Sequence, residues 1–115
     1  HELPAHRLQP VCPVVEIARR FRGKLPMAIA TGSTTQSASS SLEAIGVLHW
    51  FDAVISSKES GLAKPAPDVF LAAARAIGVP AHACVAFEDG DLGLQAARAA
   101  RMTAVDVRPW NPRSQ

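Results

Sequence analysis

With 115 residues, 48% of them apolar and 19% charged, the chain has the make-up of one small globular domain rather than a disordered segment. A formal net charge of +2 argues against a nucleic-acid or membrane-surface binder, and no apolar run is long enough to span a bilayer. No signal-peptide pattern is present, and Cys12 and Cys84 fit no metal or redox spacing, so a reduced, cytoplasmic protein is the expectation.

Pro13 precedes a helical stripe at Val14, Ile17, Ala18 and Phe21, which Gly23 closes. Met27-Ala-Ile-Ala30 reads as a buried strand ending at Thr31-Gly32-Ser33. A helix through Ala38, Leu42 and Ile45 follows, stopped by Gly46. Ala53-Val-Ile-Ser56 is the second strand, and His49-Trp50-Phe51 is expected to pack below it. Pro67 fits a first helical position, with Phe70, Ala73, Ala74 and Ile77 on one face and Gly78 and Pro80 at the end. Cys84-Val-Ala-Phe87 is a third strand. Asp91 is expected to cap a helix whose small-residue face is Gly93, Ala96, Ala97 and Ala100, with Arg98 and Arg101 solvated. Thr103-Ala-Val-Asp-Val107 is a fourth strand, and Pro109 to Pro112 reads as irregular. The alternation predicts an α/β fold with a parallel sheet, without a repeat or a second domain.

In such sheets ligands bind beyond the carboxyl ends of the strands. Thr31 and Ser33, then Ser56 and Ser57, then Glu88 and Asp89 all follow strands, and the loop after the second strand carries Lys64 between prolines. Each has a plain alternative. Thr31 or Ser33 could be a helix N-cap, Lys64 a solvated loop lysine, and Glu88 and Asp89 complements to a helix dipole. Against these, the prolines fix the lysine loop, Asp91 is the better placed cap, and adjacent carboxylates repel unless a cation joins them. A cation and an acidic pair on one sheet edge suit phosphate chemistry. His1, His6, His49 and His82 have no metal-ligand spacing.

Three segments carry a family resemblance: Ala28-Ile-Ala-Thr-Gly-Ser33, Lys64-Pro-Ala-Pro-Asp68 and Phe87-Glu-Asp-Gly-Asp-Leu-Gly-Leu-Gln-Ala-Ala-Arg-Ala-Ala100. They resemble the second, third and fourth motifs of the haloacid dehalogenase superfamily, and are nearest to its fructose-1-phosphate phosphatase and β-phosphoglucomutase branch. The resemblance runs from about Val14 to Arg108. It implies a Rossmann-like three-layer parallel sheet. It implies a phosphate site at Thr31, Gly32, Ser33 and Lys64, with Thr31 and Lys64 catalytic, and Mg²⁺ held by Asp89 with Glu88. The reaction implied is hydrolysis of a sugar phosphate through an aspartyl-phosphate.

The family's first motif, Asp-x-Asp-Gly-Thr, is absent from these residues. Asp89-Gly-Asp91 has the spacing, but it lies after the lysine motif and is followed by Leu92-Gly93, so it is rejected as the nucleophile. The resemblance thus implies the C-terminal portion of a longer protein, without the central strand that would lie between the strands ending at Thr31 and Glu88, and without the helical cap. Residues 1–13 read as a cap or linker remnant, 14–108 as a partial core and 109–115 as a tail. The isolated chain is expected to be inactive. Its gap is expected to weaken the fold, to change strand pairing, or to be filled by an N-terminal segment or another chain. A mutase, or a phosphate- or partner-binding module without turnover, is the alternative.

Overall fold

Four short strands alternate with five helices in the computed structural model, which describes residues 13–110. The order is α1 (Pro13–Phe21), β1 (Ala28–Thr31), α2 (Thr35–Ala44), β2 (Ala53–Ser56), α3 (Ser57–Ser60), α4 (Asp68–Ile77), β3 (Val85–Glu88), α5 (Asp91–Ala99) and β4 (Thr103–Asp106). Single 3₁₀ turns fall at Leu48–Trp50, Ala81–Ala83 and Arg108–Trp110. The expected strands and long helices are all present, shifted by a residue or two. The one-turn α3 was not expected; Ser56 caps it, its hydroxyl accepting from the Lys58 amide. The cap or linker remnant, Cys12, His1, His6 and the end of the tail lie outside the described residues. No helix among the described residues is long and apolar enough to cross a membrane.

The strands are parallel but do not form one continuous sheet. β1 pairs with β2 from Ala28↔Ala53 to Thr31↔Ser56, and β3 with β4 from Val85↔Thr103 to Glu88↔Asp106. No ladder joins the two pairs. The pairs therefore keep unpaired edges, as a core without the expected central strand would. Helix α4 packs on β1 and β2 and touches α5, and α5 packs on β3 and β4. The core lies in that junction, with Val69, Phe70 and Ala74 of α4 meeting Ala86, Ala96, Ala97, Ala100 and Met102. The alanine stripe of α5 brings its backbone close to the strands, as a small-residue face allows.

Some expectations need correction. Pro67 precedes α4 instead of opening it, and Gly90, not Asp91, is the N-cap residue of α5. His49-Trp50-Phe51 does not simply underlie β2. Leu48–Trp50 forms its own turn against α2, and Arg22, just past α1, lies 4.8 Å over the Trp50 ring. Arg98 and Arg101 are solvent-exposed, as expected.

Arg101 nevertheless has a backbone task. Helices α2, α4 and α5 end in the same pair of hydrogen bonds, from Val47 to Leu42 and Gly46 to Glu43, Val79 to Ala74 and Gly78 to Arg75, and Met102 to Ala97 and Arg101 to Arg98. This closure places one residue in the left-handed region. Gly46 (φ 75°) and Gly78 (φ 69°) meet that demand without a Cβ, whereas Arg101 meets it at φ 66° with one. Arg101→Gly is therefore expected to stabilise the chain by about 0.5–1 kcal/mol, the relief of left-handed strain less the added unfolded-state entropy of glycine. A rise in the urea midpoint at unchanged slope would show it; a fall would mean that the arginine side chain outweighs its backbone.

Candidate functional site

The candidate residues gather where the carboxyl ends of β1 and β3 approach each other. β1 ends in Thr31, and the hydroxyl of Thr31 lies 2.9 Å from that of Ser33 and accepts from the Ser33 amide at 3.1 Å. Neither caps α2. That work falls to Thr34, whose hydroxyl accepts from the Ser37 amide. The N-cap alternative for Thr31 and Ser33 is thereby answered, although the Ser33 N–H is directed at Thr31 in this state. The loop is also held from below. The 1%-exposed Ser56 donates its hydroxyl to the Ser33 carbonyl at 2.6 Å, which locks the loop after β1 to the end of β2.

Lys64 comes from the loop joining α3 to α4. Asp68, the first residue of α4, accepts from the Leu62 amide at 3.0 Å, and Ala66 donates to the Ala63 carbonyl at 3.0 Å. Gly61 runs past the same carboxylate, and a Cβ there would collide with Asp68. The loop is thus closed at both ends, and its lysine points inward over the Phe70 ring, 5.2 Å from the centroid. Its ammonium donates to Glu88 Oε2 at 2.6 Å and to the Ala30 carbonyl at 3.4 Å. Lys64 is therefore not a solvated loop lysine; its side chain is 19% exposed.

Glu88, at 12% exposure, ends β3 and turns toward α5. Gly93, in the first turn of α5, makes room for it: a Cβ there would overlap the Glu88 carboxylate. Asp89 is exposed, and no contact brings it to Lys64. The structure thus joins Lys64, Glu88 and the end of β1, and leaves Asp89 beside them at the rim. No group of three or more His, Cys, Asp or Glu residues among the described residues could hold a metal ion. Two neighbouring carboxylates still fit Mg²⁺, a hard cation that commonly takes one or two carboxylates and completes its shell with water and phosphate oxygens.

Beside this cluster is a second one. Asp91 is the exposed first residue of α5, and Arg108 ties it to the end of β4. The guanidinium contacts Asp91 at 2.9 Å and Asp106 at 2.8 Å, and the Arg108 amide also donates to Asp106. The hydrogen bond from the Arg108 side chain holds the Asp106 carboxyl below its ordinary value, and both aspartates push the guanidinium up. A carboxyl lowered in the folded state adds stability above the unfolded value, and that stability fades as pH falls through the lowered one. Arg108→Gln is expected to be less stable than the parent at neutral pH by a small margin, because the groups are exposed, with the difference shrinking as pH falls below about 4. Urea midpoints across pH would reveal a constant difference if the cluster were not responsible. Just before the start of β3, Cys84 is a free thiol with a raised pKa, from burial.

Ser56, Asp68 and Gly93 are the supporting residues that the sequence did not single out for such a role. A small residue at a helix start signals close approach only in general, and what approaches Gly93 depends on a side chain five residues earlier.

The family profile described as "Hydrolase: haloacid dehalogenase-like hydrolase" matches residues 3–101. The chain is 48% identical over 96 residues to fructose-1-phosphate phosphatase YqaB of Escherichia coli, covering 84% of this chain and 51% of that protein. It is 32% identical over 84 residues to β-phosphoglucomutase of Bacillus subtilis, covering 73% and 37%. Among solved structures, CbbY from Rhodobacter sphaeroides in complex with phosphate superposes with a TM-score of 0.73 at 26% identity, covering 81% of this chain and 43% of that one. A hydrolase from Ehrlichia chaffeensis gives 0.75 at 24% identity, covering 83% and 47%. The chain spans about half the length of YqaB, and less than half of these other proteins.

Proposed function

The chain belongs to the haloacid dehalogenase-like hydrolase family, and from that premise we propose that it forms the C-terminal part of a Mg²⁺-dependent sugar-phosphate phosphatase. The observation that carries the reading is the meeting of Lys64 with Glu88 beside the Thr31–Ser33 loop. Thr31 would donate its hydroxyl to a phosphoryl oxygen, with the Gly32 and Ser33 amides beside it, the latter released from Thr31. Lys64 would offset the charge that gathers between the phosphoryl group and an attacking carboxylate. Asp89 and Glu88 would hold Mg²⁺, which when bound supplies further neutralisation of that charge. The attacking group would be the first aspartate of an upstream Asp-x-Asp-Gly-Thr segment: as its bond to phosphorus forms, the bond from phosphorus to the sugar oxygen breaks, the sugar leaves as an alcohol with a proton from the second aspartate, and water then cleaves the aspartyl-phosphate to inorganic phosphate and the free carboxylate. The upstream strand bearing it would fill the gap between β1 and β3. The likeness to YqaB favours a phosphomonoester such as fructose 1-phosphate over the mutase reaction, for which the resemblance is weaker. A cytoplasmic location fits such a substrate.

The test is phosphate release from fructose 1-phosphate by this chain and by a form extended upstream, each with Mg²⁺ and with chelator. Turnover is expected from the extended form with Mg²⁺ and from no other arm. Turnover by the 115 residues alone would overturn the missing-nucleophile reading. An extended form that binds phosphate but never releases it from an ester would favour a binding module without turnover.

A further inference from the structure

In this structure Lys64 is already neutralised. Its ammonium is 2.6 Å from Glu88 Oε2, and both side chains are largely withdrawn from water, at 19% and 12% exposure. The remaining acceptor near the ammonium is a backbone carbonyl, that of Ala30. An arriving phosphate would therefore meet an internal ion pair rather than a free cation, together with a carboxylate that repels it. Glu88 is also one of the two carboxylates assigned above to the divalent cation. One carboxylate oxygen cannot serve both partners at full strength, so whichever partner takes it changes the charge presented by the other.

We propose that Glu88 is an exchange ligand, holding Lys64 when the site is empty and turning to the divalent cation when one binds. The Lys64 ammonium is then released toward phosphate. This rests on the phosphate- and Mg²⁺-holding reading of the site and adds a coupling to it: cation and anion bind cooperatively. Gly93 makes the exchange possible. The carboxylate occupies the volume that any larger residue would fill, beneath the first turn of α5, where the partial positive end of the helix favours a carboxylate whichever partner it holds. Coupling of this kind is reciprocal, and between two sites it commonly amounts to about 5–150-fold in affinity.

Calorimetric titration of the upstream-extended protein decides it, with inorganic phosphate as one probe and MgCl₂ as the other, each alone and at saturation of its partner, and with Mg²⁺–phosphate association in buffer subtracted. About tenfold tighter phosphate binding in Mg²⁺, matched by the same factor for Mg²⁺ in phosphate, is expected. Glu88→Gln, which keeps the shape and removes the charge, is expected to bind phosphate more tightly than the parent without Mg²⁺ and to lose the response to Mg²⁺. Gly93→Ala, which displaces the carboxylate, is expected to lose the coupling while keeping a cooperative unfolding transition. If the parent binds both ligands independently, or Glu88→Gln weakens metal-free phosphate binding, the exchange is wrong and the site reading stands. If neither ligand binds, both fall.

Discussion

Lys64→Met in the upstream-extended protein is expected to lower phosphate-ester turnover about 10²–10³-fold, the usual loss when one preorganised donor to transition-state charge is removed. Methionine keeps an unbranched apolar side chain of similar length and removes the ammonium, so the effect is electrostatic. A structural lysine could mimic the result, because the substitution strands Glu88 at 12% exposure without its partner, and an unpaired carboxylate in such a place destabilises a fold. A Glu88→Gln background, where the ion pair is already gone, separates the two. There Lys64→Met is expected to leave the thermal midpoint nearly unchanged and still to lower turnover well below that of Glu88→Gln alone. No further loss of turnover in that background would make Lys64 a partner for Glu88 and no more. The rate should fall mainly in kcat, since phosphoryl transfer draws on this charge most strongly when the transferring group is between its two oxygens.

Much of this arrangement was legible in the sequence because it rests on order and spacing. Strand ends at Thr31, Ser56 and Glu88 follow from short apolar runs that stop at polar residues. Their shared edge follows from parallel strands linked by helices. What the sequence did not disclose depends on distances between separated residues. Nothing in Lys64-Pro-Ala-Pro-Asp68 names Glu88 as the lysine's partner, and nothing in a first-turn glycine says that a glutamate lies over it. The cap of α5 falls at Gly90, one residue before the expected Asp91, and that of α2 at Thr34 instead of the alternative Thr31 or Ser33, because neighbouring polar residues all satisfy the same preference and only the backbone turn selects among them. The division of the strands into two pairs was partly readable. A missing central strand leaves two inner edges, but the sequence does not say whether those edges close on each other or stay apart.

That division makes Phe70 the residue with the largest expected effect on stability. Ladder hydrogen bonds stay inside each strand pair, so cooperation between the halves rests on side-chain packing through α4 and α5, together with the Lys64–Glu88 contact. Phe70 is 6% exposed, and it is the aromatic member of a buried cluster built mostly of alanines with Val69 and Met102. Alanines have no rotamers with which to fill a void, so the space left by the ring would persist. Phe70→Ala is therefore expected to cost about 3–5 kcal/mol, a large part of the roughly 5–15 kcal/mol that holds a domain of this size folded. Phe70→Leu keeps most of the burial and is expected to cost far less, while removing the aromatic face below the Lys64 ammonium, an interaction of about 0.5–1 kcal/mol in exposed settings. In urea, Phe70→Ala should lose most of the transition or shift its midpoint sharply, with Phe70→Leu close to the parent. A midpoint for Phe70→Ala within about 1 kcal/mol of the parent would mean that the halves are joined elsewhere. Loss of the transition in one half while the other melts as before would show that the two pairs fold as separate units, and that the lysine–glutamate contact bridges two bodies rather than lying inside one.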